Sequence, residues 1–137
     1  KPVRLLFIDG NHSYAAVRKD VLNWEPFIVD GGVIAMHDAL NPVVGPTRAI
    51  VNLILKDKSF SDLGIMDSIF WAVKKPPQSW SEKFNWWFFT VMMRLINRLL
   101  GLKRRRFVRQ YLVKRWLKRI LTRITLARLV LEERCES

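Results

Sequence analysis

An α/β fold followed by a helical extension is predicted by three features of this chain. Two short, almost wholly apolar runs, VRLLFI at residues 3–8 and VIAM at 33–36, flank a segment of helical periodicity. The charge divides at Pro76 and Pro77, with residues 1–75 nearly neutral and 76–137 strongly basic. Beyond that boundary the apolar residues keep helical spacing. The 137 residues, half of them hydrophobic, suffice for one domain or two small ones and exclude wholesale disorder.

The net charge of +12 comes almost entirely from the second segment: nine Lys/Arg face eight acids in 1–75, and fifteen face four in 76–137. No Asp or Glu lies between Glu82 and Glu132. The chain is therefore divided into a partial α/β domain, 1–75, and a basic amphipathic helical extension, 76–137. The single cysteine, Cys135, excludes an internal disulfide and a cysteine-based zinc site. It fits a reducing compartment, and with no visible signal peptide a cytoplasmic location is expected. Lys1 is not a start methionine, and a strand begins almost at once, as expected of a segment whose N-terminal part lies elsewhere.

The elements follow in order. Residues 3–8 lack period-2 alternation, which predicts a strand buried on both faces, as in a parallel sheet. Asn11 or Ser13 can cap the next helix. Val17, Val21 and Trp24 form its single apolar stripe, and Pro26 stops it. Asp30, Gly31 and Gly32 predict a turn, and 33–36 the second buried strand. Residues 41–46 read as a loop, with Thr47 capping a helix over about 48–56 that turns Ile50, Val51, Leu53, Ile54 and Leu55 inward. Residues 63–66 and 69–73 predict two strands joined at Asp67 and Ser68, one of them antiparallel to the rest. Ser79 or Ser81 then caps a helix carrying 84–100, broken at Gly101. A longer helix over 104–133 follows, with a heptad seam of Val113, Leu117, Ile120, Ile124, Ala127 and Leu131.

This order places chemistry at one edge. A strand–helix–strand unit of this size makes a right-handed crossover between parallel strands. Adjacent strands lie about 4.8 Å apart, so Asp9 and Asp38 end up together at the carboxyl edge, where open α/β sheets bind ligands. His12 and His37, the two histidines of the chain, fall at the same edge. Two carboxylates forced together repel unless a proton or a cation intervenes. Mg²⁺ accepts such a pair, with water or substrate oxygens completing its shell. Each residue has a plainer role beside this one: Asp9 can simply end a strand, Asp38 can cap a turn, and Tyr14 can pack on the sheet.

FIDGNHSY, a helix, GGVIAMHD, a further helix and an antiparallel hairpin together resemble the C-terminal half of a class I S-adenosylmethionine-dependent methyltransferase. The resemblance is to the small-molecule and sugar O-methyltransferases, with I-D-G-x-H-x-Y followed by G-G-x-x-x-x-H-D, and covers residues 3–75. It implies the C-terminal half of a Rossmann-like doubly wound sheet with a terminal antiparallel hairpin, followed by an α-helical extension. It implies S-adenosyl-L-methionine as methyl donor and a small-molecule or saccharide hydroxyl as acceptor. In metal-dependent members the acids at the two strand ends hold a divalent cation, here Asp9 and Asp38, with Mg²⁺ expected. Ala39 departs from the Asn that catechol-type relatives place after the second acid. Either His37 supplies a third ligand, or the site is metal-free with His12 or His37 as general base. Tyr14 is the candidate for stacking on substrate.

No G-x-G-x-x-G or phosphate-binding loop occurs in the chain, and Gly31-Gly32 is a turn signal. In the resembled fold that loop lies on strands that precede residue 3, so this chain alone is expected not to bind S-adenosylmethionine measurably. For the basic extension three readings compete: helices packed with a solvated charged face, helices lying on an anionic membrane surface through 84–131, and nucleic-acid binding through Lys103 to Arg106, which no recognised binding module surrounds. A non-catalytic α/β fragment, anchored to a membrane surface or a partner by these helices, is the alternative to an enzyme.

Overall fold

The computed structural model describes residues 1–40 and 45–101, together with Arg119 and Thr122. Four strands form one sheet. β1 is Val3–Ile8, β2 Ile28–Met36, β3 Phe60–Met66 and β4 Ile69–Lys74, in the order β1-β2-β4-β3. β1 and β2 pair in parallel, and β4 runs antiparallel to both β2 and β3. The last strand thus inserts between β2 and β3, and the three strands that precede it all point the same way. The α/β class and the reversed last strand are as the sequence predicts.

Helix α1, Tyr14–Trp24, starts at Ser13, whose side chain accepts from the Ala16 N–H at 3.3 Å; Asn11 Oδ1 accepts from the Ser13 N–H at 2.8 Å. Val17 and Val21 face the core, but Trp24 is exposed beside Phe27, so the apolar stripe is shorter than its spacing suggests. A 3₁₀ turn over Glu25–Phe27, with Pro26 inside it, ends the helix. β2 begins earlier than expected. Its register with β1 jumps between Val3↔Ile28 and Leu5↔Val33, so Asp30, Gly31 and Gly32 bulge from the strand instead of preceding it as a turn. Gly31 carries φ 77°, which a glycine adopts without strain.

Helix α2, Gly45–Ala49, runs on into a π turn, Ile50–Ile54. It starts ahead of the predicted cap, so Thr47 lies inside it. The buried hydroxyl of Thr47 instead donates to the Ala39 carbonyl at 2.7 Å. Gly45 and Pro46 belong to this helix, and the rest of the expected 41–46 loop lies outside the described residues. Helix α3, Trp80–Gly101, opens with a reciprocal cap: Ser79 Oγ accepts from the Glu82 N–H at 3.1 Å, and Glu82 Oε2 accepts from the Ser79 N–H at 3.0 Å. Those backbone bonds, joined by Gln78 N–H and by Lys75, hold the Glu82 carboxyl down at about 2. Lys75 reaches both Asp62 on β3 (2.7 Å) and Glu82 (3.2 Å), and these bonds raise its own pKa. The predicted 104–133 helix lies outside the described residues apart from Arg119 and Thr122.

The core is continuous. Ile8, Ile34, Met36, Phe70 and Ala72 of the sheet pack with Val17 and Val21 of α1, with Ile50 and Ile54, and with Phe89, Met93 and Ile96 of α3. Register places Leu5, Phe7, Val33 and Trp71 on the opposite face. There Leu5 is 63% exposed and Phe7 50%. The expectation that residues 3–8 are buried on both faces is therefore corrected. β1 is an outer strand, and the packed helices share a core with its other face, so only Ile8 of this strand is fully buried.

Candidate functional site

The two strand ends are brought together by the ladder itself. The His37 N–H continues the β1–β2 pairing by donating to the Ile8 carbonyl at 3.0 Å, which sets Asp9 and His37 side by side. Asp38 then turns the chain at φ 53°, a left-handed conformation that Asp tolerates better than most residues. The Ala39 N–H donates to the Ser68 carbonyl at 2.9 Å, and Thr47 holds the Ala39 carbonyl. The strand exit carrying Asp38 is thus fixed from the β3–β4 turn and from α2.

Four side chains meet at this edge. His37 Nδ1 lies 3.1 Å from Asp9 Oδ1 and 3.7 Å from Asp38 Oδ2. His12 Nε2 lies 3.0 Å from Asp38 Oδ2. One ligand-capable atom from each of Asp9, His12 and His37 falls within 4.8 Å of the others. His12 Nε2 is itself closed to solvent, yet no hydrogen bond is directed to it among the described residues: the Asp38 oxygen is near but off the line of a bond.

His37 has a further partner. Its Nε2 is 3.1 Å from Ser68 Oγ, and Ser68 Oγ is 3.4 Å from Asp67 Oδ2. Ser68 has one hydroxyl hydrogen. If it goes to Asp67, Nε2–H donates to Ser68 and Nδ1 is left as an acceptor facing the Asp9 and Asp38 carboxylates. Two acceptors do not bond one another, so this tautomer suits a cation between them; in the other, Ser68 donates to Nε2 and Nδ1–H donates to Asp9 Oδ1, with no ion required. An outer partner that fixes one ring N–H while the other nitrogen faces a metal is the usual arrangement around metal-binding histidines. The donor set and its outer contacts fit a divalent ion.

Ser68 and Asp67 carry no site signal in the sequence beyond the two-residue turn they form. β3 runs parallel to β1 and β2, so its end lies at their carboxyl edge, and insertion of β4 beside β2 carries the turn to His37. Tyr14 is placed differently. Its ring lies under the Arg48 guanidinium at 4.5 Å, and its hydroxyl accepts from Asn52 Nδ2 at 3.5 Å. These contacts join α1 to α2 and the π turn. Gly45 packs directly on the loop before α1, where a Cβ would collide with the His12 carbonyl oxygen.

Residues 1–39 match the family model of a methyltransferase domain. The matched segment runs from β1 through α1 and β2, and it contains Asp9, His12, Tyr14, His37 and Asp38. No curated protein and no solved structure matches the chain. The methyltransferase match thus falls on the strands and loops that build the cluster.

Proposed function

We propose that this chain carries the acceptor and cation side of an S-adenosylmethionine-dependent methyltransferase site, acting on a hydroxyl of a small molecule or saccharide. The observation that carries the reading is the convergence of Asp9, His12, His37 and Asp38 at the carboxyl edge of a sheet whose first 39 residues match a methyltransferase domain. No residue of the chain is assigned to the methyl donor, because the sequence has no glycine-rich loop.

Asp9, His12 and His37, whose ligand atoms lie within 4.8 Å of one another, are the candidate ligands for a divalent cation, with the second acid, Asp38, against His12. Mixed carboxylate and imidazole donors suit Mn²⁺ or another first-row ion as well as Mg²⁺. Such an ion, when bound, lowers the pKa of the acceptor hydroxyl. The work left to the chain is to hold that hydroxyl and take its proton. In a metal-free site His12, beside Asp38, takes that proton. Asp38, 3.0 Å away, stabilises the imidazolium that results. Ser68 holds the His37 ring. Tyr14 positions the first turn of α1, next to His12, and through it one wall of the acceptor site.

The test is methyl transfer by the full-length protein from radiolabelled S-adenosylmethionine to a panel of hydroxylated acceptors. Activity lost in Asp9→Ala and in Asp38→Ala, with unchanged circular dichroism and melting, supports the site. Retained activity in both variants removes it.

A further inference from the structure

Helix α3 has two apolar faces. Phe89, Met93 and Ile96 are buried in the core. Trp80, Phe84, Trp87, Val91 and Leu95 recur at helical spacing and are all exposed, Trp80 at 80%. At about 3.6 residues per turn the second set lies opposite the first. Three rings of this outer stripe are ordered against one another: Trp80 and Phe84 stack at 5.8 Å between centroids, and Phe84 and Trp87 lie 5.9 Å apart. A contiguous apolar stripe of this kind on a water-facing helix marks a contact surface.

The charges around the stripe indicate what it contacts. Lys83, Arg94 and Arg98 are exposed on the same helix. Its one acid, Glu82, is bound to the cap and to Lys75. From Lys83 to Leu131 the chain holds fourteen Lys/Arg and no Asp or Glu. An exposed stripe of Trp, Phe, Val and Leu bordered only by cations complements a surface that is apolar beneath and anionic above.

We propose that the outer face of α3 lies in the interface of an anionic lipid bilayer, with Trp80, Phe84, Trp87, Val91 and Leu95 among the acyl chains and Lys83, Arg94 and Arg98 at the headgroups. Trp and Phe with flanking Lys/Arg is the composition of interfacial helices, and each cation near such a surface adds to the attraction. The contact is peripheral: no described helix is long and apolar enough to cross a membrane. A second copy of the chain is disfavoured because Lys83, Arg94 and Arg98 would meet their like. Single-stranded nucleic acid is disfavoured because it needs open ring faces, and here the rings face each other while Val91 and Leu95 offer none. The proposal is independent of the methyl-transfer reading.

The experiment is flotation of the full chain with phosphatidylcholine vesicles, with or without phosphatidylserine, read beside tryptophan emission. The wild-type protein is expected to float with the phosphatidylserine vesicles, to shift its emission to the blue, and to release as salt rises. Trp80→Ser/Phe84→Ser/Trp87→Ser is expected to lose about tenfold or more of this partitioning while remaining folded by circular dichroism, because the three residues are exposed. Arg94→Gln/Arg98→Gln is expected to bind the anionic vesicles more weakly and to retain the fold. The proposal is overturned if the triple variant floats as well as wild type. It is equally overturned if no flotation occurs, whether the stripe is closed in a dimer seen by sedimentation, covered by residues 102–137 with emission already blue-shifted, or engaged by RNA in a salt-dependent gel shift.

Discussion

His37 Nε2 lies 3.1 Å from the hydroxyl of Ser68, which ties the end of β2 to the turn between β3 and β4. The contact exists because β4 inserts beside β2 and brings that turn to the carboxyl edge. Ser68→Ala removes the outer partner of the ring and leaves Asp9, His12 and Asp38 in place. Mn²⁺ affinity, followed by titration, is expected to fall about tenfold, with little change in melting because the change removes only one oxygen atom. Ser68→Thr, which keeps the hydroxyl, is expected to recover part of the loss.

Gly45 and Gly10 make a matched comparison. A Cβ at Gly45 meets the backbone of His12 and Tyr14, whereas one at Gly10 meets nothing within 4 Å. Gly45→Ala is expected to cost about 1–3 kcal/mol in urea unfolding and to displace the His12 loop, seen as a shift of the His12 ring signals. Gly10→Ala is expected to stay within about 0.5 kcal/mol of wild type.

The cap of α3 gives a pH dependence with a defined sign. Glu82 has its folded pKa lowered from 4.5 to about 2 by the backbone N–H groups of Ser79 and Gln78 and by Lys75. The unfolded chain therefore takes up the proton first as the solution is acidified. The stabilisation from Glu82 is complete above about pH 4.5 and is lost as pH falls towards 2. Urea melts at neutral and acid pH are expected to show this loss in wild type and a smaller one in Glu82→Gln. Ser79→Ala is expected to cost about 1 kcal/mol at neutral pH.

The two faces of α3 separate in stability as well. Phe89 is buried with Met93 and Ile96, so Phe89→Ala is expected to cost about 3–5 kcal/mol. Phe84, half exposed and in contact with Trp80 and Trp87, is expected to cost under about 1 kcal/mol on the same change. Equal costs would mean that the outer stripe is packed as the inner one is.

The legible parts of this fold are those with local signals. The apolar runs, Ser13 before α1, Pro26 after it, Ser79 before α3 and the two-residue turn at Asp67 and Ser68 each act over a few residues. That the ends of β1 and β2 fall at one edge is also legible, because a parallel crossover leaves them no other place, but the register sets His37, not Asp38, directly beside Asp9. What cannot be read depends on contacts distant in sequence. That Leu5 and Phe7 are exposed follows from the outer position of β1 and from which face the helices share with the core. The Thr47 bond to the Ala39 carbonyl arises only once α2 has folded over the end of β2. Ser68 joins His37 because of strand order, and no pattern in VIAMHD or in MDSI records it.

The central claim is that Asp9, His12 and His37 hold one cation, with Asp38 beside His12. The chain has two histidines, both in the cluster, so their imidazole signals report on it without interference. The decisive measurement is a Mn²⁺ titration followed by paramagnetic broadening of the His12 and His37 ring resonances. Both rings are expected to broaden together at substoichiometric Mn²⁺, and neither is expected to do so in Asp9→Asn. Rings that stay sharp in excess Mn²⁺, or that broaden equally in Asp9→Asn, would contradict it.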